Sequence, residues 1–173
     1  FAFLGALWYF YRFAQNKKWD AFEALDYYSI AAMFGMFWRS LGAFFDGSQY
    51  GLPTSMPWGI VFPGVQEKVH PIQLYLAVFS LLWFFYLLKV EYRYRLFEWY
   101  RSGKKTAETG FLLATTLISY ALVSLALTWM KLPEFVMYGI MLDRWIYLAI
   151  ALFGAVLLWS RSGRSLFSGS KTA

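Results

Sequence analysis

The sequence predicts an all-α protein, a polytopic transmembrane helix bundle with a structured extracytoplasmic loop. Three observations carry that expectation. Sixty per cent of the residues are hydrophobic and 15% charged, with a mean hydropathy of +0.44, unlike the balance of a soluble domain. Apolar runs recur at lengths near the ~20 residues a helix needs to cross the hydrocarbon core. Lys and Arg collect in alternate connections between those runs, as the positive-inside rule requires.

In order, the chain reads as a single membrane domain over residues 1–173. Residues 1–14 are a partial helix, too short to span alone; because Phe1 already lies inside an apolar run, the expectation is that the sequence begins partway through the protein. No signal peptide is recognisable there. Transmembrane helices are expected at 26–46, 71–90, 110–130 and 137–159, with an outer loop at 47–70 and a mobile, Ser/Gly-rich tail at 160–173. If the first run starts outside, twelve basic residues fall on the inner side, among them Lys17, Lys18, Arg93, Arg101 and Arg164. Only Lys68 and Lys131 fall on the outer side, which puts the 47–70 loop outside and the C-terminus in the cytoplasm.

Composition also excludes classes of chemistry. The chain has no Cys and one His, so neither thiolate nor His-rich metal sites are expected, and no metal or cofactor is called for. The net charge of +6 does not imply nucleic acid, because the basic residues lie between apolar runs. Tyr92, Arg93, Tyr94 and Arg95 read as an anchor at anionic headgroups.

Within the 26–46 run, Ala31, Gly35, Arg39, Gly42 and Asp46 recur at helical spacing and share one side. Small residues there permit close helix packing. An Arg within a span costs at least ~2.5 kcal/mol unless it is partnered. Two readings of Arg39 stay open: an anion or Asp46 as its partner, or snorkelling to the outer face, about 10 Å away. Asp143 and Arg144, near the outer end of the last run, read as a local pair. Tyr120, Ser124 and Thr128 make one polar stripe that serves either a cavity or helix packing.

The loop is the informative stretch. Residues 50–75 read YGLPTSMPWGIVFPGVQEKVHPIQLY and hold the only His and four of the five Pro, a density that excludes a regular helix and implies a shaped turn structure. Trp58, Ile60, Val61 and Phe62 are too apolar for a free aqueous loop. His70 opens the following helix, where it serves either as an acid or base or as a headgroup contact.

These residues resemble a known family. YGxPTxxPWGIxFPG followed by HPxQLY, with an upstream Arg-x-x-Gly, is similar to prolipoprotein diacylglyceryl transferases, and RSLGAFFDGSQYG (39–51) resembles their Gly-Arg-x-Gly-Asn-Phe-x-Asn-Gly-Glu-x-x-Gly signature. The resemblance implies a seven-helix protein of the bacterial inner membrane. The implied reaction moves the diacylglyceryl group of phosphatidylglycerol to the lipobox cysteine of a prolipoprotein. It makes phosphatidylglycerol, prolipoprotein and membrane lipid the partners. Arg39 matches the family's phosphate-binding Arg and His70 its HPxQLY histidine; Asp26, Gly42, Tyr50, Gly51, Gln73, Tyr75 and Tyr120 match its substrate-binding positions. Several positions depart from the pattern: Trp38, Ala43, Asp46 and Ser48 within the signature, Ser124 where the family has a second Arg, Thr128 where it has a Glu, and Lys131 where it has a later Arg. The expectation is that Arg144 supplies the missing guanidinium, oriented by Asp143, and takes a catalytic role with Arg39 and His70. The alternative is a degenerate homologue that binds phospholipid or prolipoprotein without catalysis.

Overall fold

A computed structural model of the chain describes residues 20–97, 108–131, 136–137 and 140–161, with isolated positions between 5 and 17. Most of the expected partial helix at 1–14 and the tail beyond Arg161 lie outside the described residues. Four long helices make up the fold: α1 (Ala21–Asp46), α2 (Ile72–Glu91), α3 (Phe111–Leu127) and α4 (Leu142–Arg161). A π-helical turn, Tyr92–Phe97, prolongs α2. A small antiparallel ribbon, β1 (Val136–Met137) with β2 (Ile140–Met141), precedes α4.

Local chemistry sets the helix ends. Asp20 caps α1, its Oδ1 accepting the Phe22 N–H at 3.0 Å, so the helix begins five residues before the expected start at 26. Burial raises the Asp20 pKa, but hydrogen bonds from Thr109, Phe22 and Glu23 and the nearby Arg161 outweigh it and hold the carboxyl below its ordinary range. The end of α1 is written by Gly47, whose φ of 70° is left-handed and lets its N–H reach back to Ala43 and Phe44. The expected helix at 137–159 starts later, at Leu142, because the residues before it pair as strands. The expected helix at 110–130 stops at Leu127, where Thr128 turns its hydroxyl back onto the Leu125 carbonyl at 2.7 Å.

By length and apolarity, two described helices suffice to cross a membrane: 72–94, which includes the π-helical turn's start, and α4. The apolar α3 has 17 residues and is shorter than a full span. Outward faces fit this reading. Val78, Leu82 and Phe85 on α2, and Leu152, Phe153 and Val156 on α4, are each more than half exposed.

The helices pack as two antiparallel hairpins, α1 with α2 and α3 with α4. Ile30 and Met33 of α1 meet Leu87 and Val90 of α2 and Leu112 of α3 in a core at one end of the bundle. Gly154 lets α4 approach α3; a Cβ there would lie 2.9 Å from Ile118 and 3.1 Å from the Ala114 carbonyl. The same end is clamped by polar groups. Asp26 accepts the Gly110 and Leu113 N–H groups at 2.7 and 2.8 Å. Arg161 donates from Nε to the Thr109 carbonyl at 2.8 Å and lies over the Phe22 ring at 4.6 Å. This clamp leaves the opposite end, beneath the 47–70 loop, to form the site.

A cationic cavity beneath the loop

The loop is ordered by its own backbone. His70 N–H donates to the Leu52 carbonyl at 3.1 Å and its carbonyl accepts the Gly51 N–H at 2.8 Å; Thr54 N–H reaches Lys68 at 2.8 Å. Ile60 and Val69 exchange both of their bonds. Val69 and Phe62 are buried, and Tyr50 stacks on Phe62 at 5.8 Å, so Tyr50 props the loop.

The loop also fixes the turn after α3. Leu52 N–H donates to the Met130 carbonyl at 2.7 Å, and Gly51 bridges Lys131. Only glycine fits between them: a Cβ at Gly51 would stand 2.5 Å from the Met130 carbonyl oxygen and 2.8 Å from the His70 Cβ. Both obstacles are rigid. Gly51→Ala is therefore expected to cost about 1–3 kcal/mol, as overpacking does, and to displace Lys131. A lowered thermal midpoint in detergent, with weakened anion binding, checks this.

Below the loop lies a cavity of about 260 Å³. From α1 it takes Met36, Arg39 and Ser40; from α2, Ile72, Gln73 and Leu76. Tyr120 of α3, Tyr147 of α4, Lys131 and Gln49 complete it. Among the described residues two cations line it and no carboxylate does, a lining suited to an anion. Arg39 has no hydrogen-bond or ion-pair partner among the described residues, which leaves its planar fork for a ligand. Gln73 is 2% exposed; its Nε2 donates to the Ser48 carbonyl, while its Oε1 has no partner among the described residues. Gln49 has a φ of 59°, a costly conformation for a residue with a Cβ, which holds it at the cavity wall.

Of the expected site residues, the structure therefore brings Arg39, Gln73 and Tyr120 together. Gly51 acts one step away by placing Lys131. His70 and Tyr75 are not among the lining residues; they pair with each other, 3.3 Å between Nδ1 and the phenol oxygen. Gly42 shares the exposed face of α1 with Ala31, Gly35 and Asp46, and nothing lies within 4 Å of a Cβ built at Gly35 or Gly42. The close packing expected of that face is not made among the described residues. Asp26 is at the opposite end, capping α3. Arg144 does not line the cavity; its guanidinium stacks over Trp129 at 5.3 Å. Lys131, and not Arg144, joins Arg39 among the described residues that line the cavity. Sequence reasoning passed over Met36 and Ser40, which were signalled by their i, i+3, i+4 spacing around Arg39. Tyr147 carried no such signal.

Comparison with known proteins points to one family. The family model for prolipoprotein diacylglyceryl transferase matches residues 2–160. A phosphatidylglycerol–prolipoprotein diacylglyceryl transferase of Cupriavidus pinatubonensis is 26% identical over 94% of this chain and 58% of its own length. One from Solidesulfovibrio magneticus is 29% identical over 92% of this chain and 59% of its own. A Wolbachia relative is 43% identical over 61 residues, covering 34% of this chain and 23% of its own length. The chain thus spans a little under three-fifths of the longer-matching of these relatives. With a family match across nearly its whole length, this chain belongs to the prolipoprotein diacylglyceryl transferase family.

Proposed function

We propose that this protein transfers the diacylglyceryl group of phosphatidylglycerol to the lipobox cysteine of a prolipoprotein at the outer face of the bacterial inner membrane. The observation that carries the reading is the cavity that joins Arg39 and Lys131 under the loop, with no carboxylate among its described lining residues. In the reaction, a carbon–sulfur bond forms to the cysteine and the bond from that carbon to the phosphate oxygen breaks. The thiol proton leaves and glycerol-1-phosphate departs. Charge develops on the departing phosphate, which is where fixed cations lower the barrier.

Cavity size supports a division of labour. At about 260 Å³ it is smaller than the ~300 Å³ at which pockets for drug-sized ligands begin. It holds the phosphate and headgroup, and the acyl chains lie along the apolar outer faces of the helices. The positive-inside count supports four membrane-crossing helices with the loop outside and the C-terminus in the cytoplasm.

The test follows the mass of a lipobox peptide incubated with the full chain and phosphatidylglycerol in detergent. Addition of one diacylglyceryl group is expected. Bound phosphatidylglycerol without a mass gain would overturn transfer and leave a lipid-binding protein. The same assay separates the two candidate second cations. Lys131→Ala is expected to slow transfer about tenfold, the worth of one charge-assisted hydrogen bond. Arg144→Ala is expected to transfer as fast as the parent.

A further inference from the structure

We infer that Trp58 is a positioning residue which, through Tyr75, sets His70 as a hydrogen-bond donor to a lipid oxygen rather than as the base for the thiol. The assignment begins with direction. An indole N–H only donates, and Trp58 Nε1 donates to the Tyr75 phenol oxygen at 2.9 Å. That oxygen is then an acceptor, and its own O–H remains to be given away. The ring nitrogen beside it is His70 Nδ1, at 3.3 Å, and the inferred relay gives that O–H to it. A neutral imidazole that accepts at Nδ1 carries its proton on Nε2.

The ring has little freedom to do otherwise. His70 is tied through both its backbone N–H and its carbonyl to Leu52 and Gly51, and its ring meets Tyr75 edge-on at 61° with 6.3 Å between centroids. Nε2 has no hydrogen-bond partner among the described residues. The relay therefore presents an N–H, at the start of α2 and one turn from the cavity residue Gln73, to whatever oxygen is held there. The identity of that oxygen, an ester or phosphoester oxygen of a phospholipid, rests on the proposed function. The tautomer does not.

One histidine in the chain makes the test direct. With 15N-labelled histidine in the full chain at about pH 8.5, where imidazole is ordinarily neutral, the parent should show a directly bonded proton at Nε2 and none at Nδ1. Trp58→Phe and Tyr75→Phe should let the proton redistribute between the two nitrogens. A parent proton on Nδ1, or a tautomer that neither substitution moves, overturns the relay. A second arm reads chemistry. His70→Gln sets an amide N–H close to the position of Nε2, so it should retain transfer within about tenfold of the parent, whereas His70→Ala should lose about a hundredfold or more, the cost of one transition-state donor. A fall of His70→Gln to the level of His70→Ala overturns the donor role. If the parent itself transfers nothing, the proposed function fails, and the labelled histidine alone decides the relay.

Discussion

Replacing Arg39 with alanine is expected to lower transfer by at least about a hundredfold and to weaken phosphatidylglycerol binding with it, while leaving thermal stability almost unchanged. The two halves of that result have separate causes. Arg39 projects from the exposed face of α1 and makes no hydrogen bond or ion pair among the described residues, so its removal orphans nothing in the protein. The loss falls instead on the ligand. A guanidinium meets a phosphate through two parallel N–H bonds. Hydrogen bonds to charged groups contribute about 1.5–3 kcal/mol each, so two of them account for roughly two decades or more. Lys131, the other cation among the described lining residues, does not supply a fork. Arg39→Lys should accordingly recover charge without bidentate geometry and fall between the parent and the alanine variant. Lipid binding and peptide mass, measured beside a melting curve, distinguish the readings. Unchanged binding and transfer in Arg39→Ala would mean that the side chain snorkels to the membrane surface and serves no ligand.

Arg39 was legible in the sequence because a charge within an apolar run must either find a partner or snorkel to the surface, and helical spacing alone gives its face. The loop was legible as a loop for a similar reason, since Pro and Gly at that density forbid a helix. Its internal order was not. The bonds of Gly51 and Leu52 to His70, Met130 and Lys131 join segments far apart in sequence, and no local pattern marks them. From sequence, Lys131 reads as one of two outer basic residues, standing where the family has a later Arg, and Arg144 as the second cation. Stacking over Trp129 takes Arg144 elsewhere. The α1 face misled in the opposite direction. Ala31, Gly35 and Gly42 have the spacing of a packing seam, yet that face is exposed among the described residues, because spacing shows which residues share a side and not what covers it. Helix ends depended on single residues. The Asp20 cap moves the start of α1 ahead of its apolar run, whereas counting apolar residues detects only the run.

Asp26 produces the mirror image of the Arg39 result. Asp26→Ala is expected to destabilise the fold by about 3–5 kcal/mol without any direct effect on the cavity. The carboxylate is wholly buried and accepts the N–H groups of Gly110 and Leu113 at 2.7 and 2.8 Å. These are among the first donors of α3, which have no acceptor within their own helix. Gly110, the residue at the cap position of α3, has no side chain to offer them. A residue 84 positions earlier in the chain performs the capping instead, and its negative charge also suits the positive end of the helix dipole. Truncation leaves two buried donors unsatisfied, at about 1–3 kcal/mol each, and releases one of the contacts that hold α1 to the α3–α4 hairpin. Asp26→Asn keeps one acceptor oxygen but turns an NH₂ toward the other donor, so it should recover little. A fall of roughly 10 °C in the thermal midpoint is the expected reading for a chain of this size. If instead Asp26→Ala melted with the parent and lost phosphatidylglycerol binding, Asp26 would belong to the substrate site. The family resemblance suggests that role, and the distance between the two ends of α1 argues against it: Asp26 and Arg39 are separated by thirteen helical residues, roughly 20 Å along the axis at 1.5 Å per residue.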